Sequence, residues 1–134
     1  MGQSEAALAE KIRENGPFDV VGSGSKRGLG QAMPKLAPLS LKPFNGVELY
    51  EPDELVLEAG AATPLDEIEA LLAQRGQQLA FEPPDFSSLL GSDKRGTLGG
   101  TIACNLAGPR RLKAGAARDH VLGFSGVNGK GDIY

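Results

Sequence analysis

The residues best equipped for chemistry lie in one short stretch, Val20-Val21-Gly22-Ser23-Gly24-Ser25-Lys26-Arg27-Gly28-Leu29-Gly30. Glycine admits backbone conformations that turn successive N–H groups inward, and a row of such amides forms a concave anion site. Serine hydroxyls and lysine add donors, the latter charge-assisted. The chemistry this predicts is the holding of phosphate. Two well-known phosphate patterns fail on spacing. G-x-G-x-x-G begun at Gly22 needs glycine where Arg27 stands, and neither Gly22 nor Gly24 is followed by G-K-[ST] at the Walker A distance. A phosphate loop of another kind remains. Ser23 and Ser25 also fit an ordinary turn, and Lys26 and Arg27 fit a solvated loop.

A second run, Gly96-Thr97-Leu98-Gly99-Gly100-Thr101-Ile102-Ala103-Cys104-Asn105-Leu106-Ala107-Gly108, is dominated by small residues. It permits close backbone approach to a flat ligand or, equally, to another element. Thr97 and Thr101 offer hydroxyls to a ligand or caps to a short helix. A single cysteine, Cys104, excludes an internal disulfide and is expected to be a small packed residue. A single histidine, His120, leaves no zinc set and no Ser-His-Asp arrangement, and is expected at the edge of a strand. The acids Asp66, Glu67 and Glu69 read as a solvated helix face, since no opposing acid can be named.

The elements that must position these residues follow from pattern. A weakly amphipathic helix runs to about Glu14, and Asn15-Gly16-Pro17 stops it. Phe18–Val21 reads as a short buried strand delivering the glycine loop. Residues 31–46, with Pro34, Pro38 and Pro43, read as a surface connection holding an extended piece near Leu39-Ser40-Leu41. Val47–Glu51 and Leu55–Ala59 form a hairpin across Pro52-Asp53. Thr63 is expected to cap a helix with Pro64 at its first position, Leu65, Ile68, Leu71 and Leu72 on one face, and Gly76 at its end. Gln78–Phe81 and Asp119–Val127 are expected strands. Asn128-Gly129 is a hairpin turn whose return strand is expected to lie beyond Tyr134, which reads as a truncated chain.

The 134 residues suit one domain with a real core. Nineteen glycines and nine prolines, without a collagen period, indicate many tight turns. The net charge of −3 is unevenly placed: 15 of 17 acids precede Lys94, while half of the 14 Lys/Arg lie from Lys94 onward. An acidic protein excludes general nucleic-acid binding, and the basic last third suits a compact anion. No run reaches the ~18 apolar residues of a membrane span. The expectation is a cytoplasmic protein, with any inner-membrane association made through partner subunits.

The order of these motifs resembles a known family. The Gly/Ser loop, "YEPDELVLEAGAATPLDEIEALLAQRGQQLAFEPP", "GTLGGTIACNLAGPRR" and "ARDHVLGFSGVNGKGD" together resemble the FAD-binding domain of the vanillyl-alcohol oxidase or p-cresol methylhydroxylase (PCMH) type. Within it they are most similar to the FAD-binding (E) subunits of bacterial glycolate oxidases. The resemblance covers residues from about 17 to the end. It implies an α+β fold with two small mixed α/β subdomains around the flavin, residues 1–134 being the N-terminal part of that domain, without a substrate domain. It implies cofactor contacts at Gly22, Ser23, Gly24, Ser25 and Lys26, then at Gly96, Thr97, Leu98, Gly99, Gly100 and Thr101. It also implies roles for Asn105, Gly108, Gly115, Arg118 and Asp119, where the family backbone closes on the cofactor.

Some relatives of that type attach FAD through His or Cys. Here His120 lies outside the first loop and Cys104 inside the Gly96–Gly108 run, so non-covalent FAD is expected. The function implied is that of an FAD-binding module of a flavoprotein oxidoreductase, in which the flavin does the redox chemistry on glycolate or a similar 2-hydroxy acid. The implied partners are a related flavoprotein subunit and an iron–sulfur subunit. Catalytic residues and metal ligands are not indicated. Two alternatives stay open: a non-catalytic or assembly subunit that binds FAD weakly or not at all, and a relative acting on another alcohol or a nucleotide sugar.

Overall fold

A computed structural model describes residues 2–31 and 34–134 of the chain. In order, helix α1 (Gly2–Asn15) leads into strand β1 (Phe18–Val21), and β2 (Ala37–Ser40) follows the first glycine loop. A hairpin of β3 (Val47–Glu51) and β4 (Val56–Ala59) leads to helix α2 (Leu65–Ala73). Short helices α3 (Ser87–Leu90), α4 (Leu98–Ala103) and α5 (Arg111–Ala114) precede a 3-10 turn, Ala117–His120. Among the described residues there are two separate two-stranded sheets: β1 and β2 run parallel with Val20 opposite Leu39, and β3 and β4 run antiparallel with Tyr50 opposite Leu57. The fold is α+β.

Why α2 forms is clear from its sequence. Asp66 and Glu67 occupy its first turn, and Leu65, Ile68 and Leu72 are buried on one face at 1%, 0% and 6% exposure. Each such burial contributes about 1.5–3 kcal/mol. Ala9, Leu39, Ala62, Phe81, Ala116 and Ala117 are buried as well. The chain's last residues return to α1: Arg13 Nη2 donates to Gly131 O at 2.5 Å, and the Ser125 hydroxyl meets Glu5.

Several expectations are corrected. Thr63 does not cap α2. The helix's first amide, Leu65 N, donates to Gly96 O at 3.1 Å, while the fully buried Thr63 Oγ1 donates to Gly60 O at 2.7 Å and accepts from Gly46 N at 2.9 Å. Backbone from a distant loop thus does the capping, and the hydroxyl ties Thr63 to Gly46 and Gly60. β4 begins at Val56 rather than Leu55, which takes φ +57 in the turn and is exposed. Gln78–Phe81 is no strand: Glu82 at φ +49 and the prolines beyond it bend the backbone, and Phe81 O accepts from Gly108 N. Asp119–Val127 is no strand either. It opens as the 3-10 turn, because Asp119 Oδ2 accepts Ala116 N at 2.7 Å and winds the backbone.

The Asn128-Gly129 turn finds its return arm within the chain. Val127 bridges Ile133, with Gly126 N donating to Tyr134 O at 2.9 Å and Tyr134 N to Gly126 O at 3.0 Å. Inside the connection after the first loop, the extended piece becomes β2, one residue or two earlier than its prolines suggest. Residues 32 and 33 of that connection lie outside the described residues.

Candidate functional site

The first glycine loop leaves β1 at Gly22 and borders an open cleft of about 740 Å³. Gly22, Ser23, Gly24, Ser25 and Lys26 all line it, as do Thr97, Gly99 and Gly100 from the second run. The two glycine segments, 70 residues apart in sequence, therefore form facing walls. Val20, Val21, Leu29, Leu36 and Leu41 supply an apolar side. Val20, expected to be buried, is 61% exposed because its side chain belongs to this cleft rather than to the core.

How close the walls stand is measured by their glycines. A Cβ on Gly22 would lie 2.9 Å from Thr97 Oγ1, inside contact distance. A Cβ on Gly96 would lie 2.6 Å from Lys26 Nζ and 3.2 Å from Ser25 Oγ, and one on Gly100 would lie 3.7 Å from Lys26 Nζ. Gly96 also has φ +129, a conformation that side chains resist. The bare Cα atoms of Gly22, Gly96 and Gly100 are thus what let the Ser25–Lys26 corner settle against the second loop.

The donor set is open. Among the described residues, no N–H from Gly22 to Gly28 donates to a backbone carbonyl outside the strands. Lys26 forms no ion pair among them, whereas Arg27, the other loop cation, is held by Asp19. A half-buried ammonium without a counter-ion, next to a row of free amides and the hydroxyls of Ser23 and Ser25, is chemically suited to a diphosphate. FAD fits this cleft by its donors and by the apolar wall available to a flat ring.

The second loop contributes shape more than donors. Leu98 N and Gly99 N donate to Thr63 O and Ala61 O, each at 2.9 Å, and Gly100 N donates to Thr97 Oγ1 at 3.3 Å. Thr97 is therefore the cap of α4, and its hydroxyl faces the first loop from that position. Gly99 is required for another reason: a Cβ there would stand 2.7 Å from Ala61 Cβ. Leu98 and Thr101 do not line the cleft. Thr101 is 1% exposed, and its buried hydroxyl has no partner among the described residues.

Asn105, Gly108, Gly115, Arg118 and Asp119 form a separate cluster. Asn105, at φ +48, turns the backbone after α4 and accepts Arg118 N at 3.1 Å. Gly108 packs where a Cβ would meet Glu82 O at 2.8 Å, and Gly115 lies at φ +87 beside Asp119. This cluster holds the far end of α4 and does not line the cleft.

Sequence reasoning missed two features. Cys104 is exposed and lines the cleft, because α4 ends at Ala103 and Cys104 is on its outer side. Ala61, from the β4–α2 connection, forms part of the floor. Only its place directly after a glycine hinted at this. His120, placed by sequence on a strand edge, ends the 3-10 turn instead. Its Nε2 lies 2.6 Å from Ala114 O and its ring 5.8 Å from that of Phe81. Among the described residues, no group of histidine, cysteine and carboxylate side chains could hold a metal, and no helix is long and apolar enough to cross a membrane.

Comparison with known proteins agrees with this geometry. The model of a family described as "FAD binding domain" matches residues 3–134. The glycolate oxidase subunit GlcE of Escherichia coli (strain K12) is 39% identical over 122 residues, covering 91% of this chain and 33% of that protein. The glycolate oxidase subunit GlcD of Bacillus subtilis (strain 168) is 37% identical over 86 residues, covering 64% of this chain and 17% of that protein. The chain thus spans about a third of the length of the first of these relatives.

Proposed function

The chain belongs to the FAD binding domain family, and from that premise we propose that it is the FAD-binding module of a flavoprotein oxidoreductase acting on glycolate or a similar small 2-hydroxy acid. The observation that carries the reading is the corner made by Ser23–Lys26 against Gly96–Gly100, an unneutralised cation and free amides facing an apolar wall. The similarity to two glycolate oxidase subunits supports the substrate class.

Bound FAD supplies the capacity to accept two electrons. The chain's own residues bind and orient it. Lys26 and the 22–28 amides hold the diphosphate, Ser23 and Ser25 add hydroxyl donors, and Gly22, Gly96 and Gly100 let the backbone close on it. Thr97, Leu98, Gly99 and Thr101 keep the second wall in place. Asn105, Gly108, Gly115, Arg118 and Asp119 anchor the segment behind α4. In this reading attachment is non-covalent, and His120 is turned to Ala114 O rather than to the cleft. Partner subunits, one a related flavoprotein and one an iron–sulfur protein, pass the electrons on. The complex is cytoplasmic, meeting the inner membrane through those partners.

Heating the intact protein and chromatographing the released flavin tests this. The expected result is stoichiometric FAD in the supernatant. Flavin that stays with the precipitated polypeptide would overturn the non-covalent reading. A colourless protein that takes up no added FAD would favour a non-catalytic assembly subunit. Dye-coupled turnover of glycolate against longer 2-hydroxy acids tests the substrate class separately.

A further inference from the structure

Arg95 immediately precedes the second loop, and its guanidinium touches three residues, two on α2 and one beyond it. Nη1 meets Glu69 Oε2 of α2, Nη2 donates to Glu69 Oε1 at 2.9 Å, and Nη2 also donates to Pro83 O at 2.9 Å. A longer contact of 3.4 Å joins Nη1 to Asp66. The arginine side chain is 22% exposed and that of Glu69 32%, so this is a sheltered fork rather than a loose surface pair. Among the described residues, its buried Nε has no partner, so the guanidinium is held through its two Nη atoms.

One residue further on, Gly96 O accepts Leu65 N at 3.1 Å, and Thr97 bridges Pro64. The same stretch therefore has two anchors on α2: a backbone one at the helix start, and the Arg95–Glu69 fork one turn along. Between them lies the bare Cα of Gly96, on which Lys26 Nζ and Ser25 Oγ rest.

We propose that Arg95 is a positioning residue of the cofactor site: its fork to Glu69 and Pro83 sets the Gly96 face at the depth where Lys26 can meet the FAD diphosphate. The proposal rests on the cofactor reading above. Arg95 itself lies outside the main cleft and acts through Gly96 and Lys26. Planarity matters to it, because a lysine offers a point charge and cannot span both Glu69 oxygens and the Pro83 carbonyl.

The test is a double-mutant cycle on FAD affinity in the intact protein, read by quenching of flavin fluorescence, with circular dichroism and thermal melting recorded for each variant. Arg95→Lys should weaken FAD about tenfold while the melt stays cooperative, and Lys26→Met should do the same. In the Arg95→Lys background, Lys26→Met should cost only about twofold, because the ammonium is no longer seated where the diphosphate passes. Glu69→Gln, which breaks the fork from the other side, should reproduce the Arg95→Lys corner. Additive effects of Arg95→Lys and Lys26→Met would overturn the proposal. So would unchanged affinity in both fork variants, or loss of the folded state in both, which would make the fork a structural tie alone. Failure of the wild-type protein to bind FAD would instead overturn the cofactor reading, and it is seen before any variant is made.

Discussion

At the scale of single residues, the glycines of the two loops do different work, and this separates affinity from stability. Gly22→Ala puts a Cβ 2.9 Å from Thr97 Oγ1, pushing the facing walls apart. It should weaken FAD about tenfold, measured by fluorescence titration, with the melt little changed. Gly100→Val, with its Cβ 3.3 Å from the same hydroxyl and branches directed at Lys26, should abolish FAD retention while leaving circular dichroism close to wild type. Gly99→Ala meets Ala61 backbone and Cβ instead, so its cost of about 1–3 kcal/mol should appear in stability by urea unfolding. The Gly/Ser alternation and Lys26 were legible as a phosphate site from residue type alone. Cys104 was not, because burial at the end of a six-residue helix depends on which side the helix presents, and small residues carry no period to show it.

At the scale of elements, α2 and the β3–β4 hairpin were legible because their signals are local: spaced leucines, an acidic first turn and a proline turn. What joins them was not. Thr63 has the residue type and position of an N-cap, yet its hydroxyl is consumed by Gly46 and Gly60 while Gly96 caps the helix. Thr63→Val should therefore cost about 1–3 kcal/mol of stability, because it strips the part-buried Gly46 amide of its acceptor and Gly60 O of its donor. Thr97→Ala, which removes a true cap from α4, should cost about 1 kcal/mol. At α3, Asp85 Oδ1 accepts Ser87 N at 2.8 Å, and its hydrogen bonds with Ser87 hold the carboxyl below its ordinary pKa. A depressed carboxyl stabilises the folded state above its unfolded pKa and loses that effect as pH falls through the folded value. The Ser87 amide shift should accordingly move only at the acid end of a pH titration.

At the scale of the whole molecule, charge placement and closure of the site come together. The cleft of this acidic protein is lined by Lys26, Arg27 and Lys35 against Asp19 alone, a local excess of positive charge. FAD retention should therefore weaken as salt rises from about 0.05 to about 0.5 M, since screening shortens the reach of these cations, and a flat salt profile would contradict a diphosphate at Lys26. By itself the sequence determined the strand that delivers the first loop, the helix α2 and the chemistry of the Ser23–Lys26 donors. These depend on local backbone preference and residue type, which neighbours in sequence already settle. Only the tertiary structure decided that the loops at 22–26 and 96–100 face each other across one cleft. It also divided the Gly96–Asp119 residues into those that line the cleft and those that hold the backbone behind α4. Both outcomes rest on backbone contacts between segments far apart in sequence, such as Gly96 O with Leu65 N and Gly99 N with Ala61 O, and a glycine's residue type does not say which distant segment its bare Cα will meet. The phosphate loop was readable in the sequence; the cleft that gives it a cofactor to hold was made by packing.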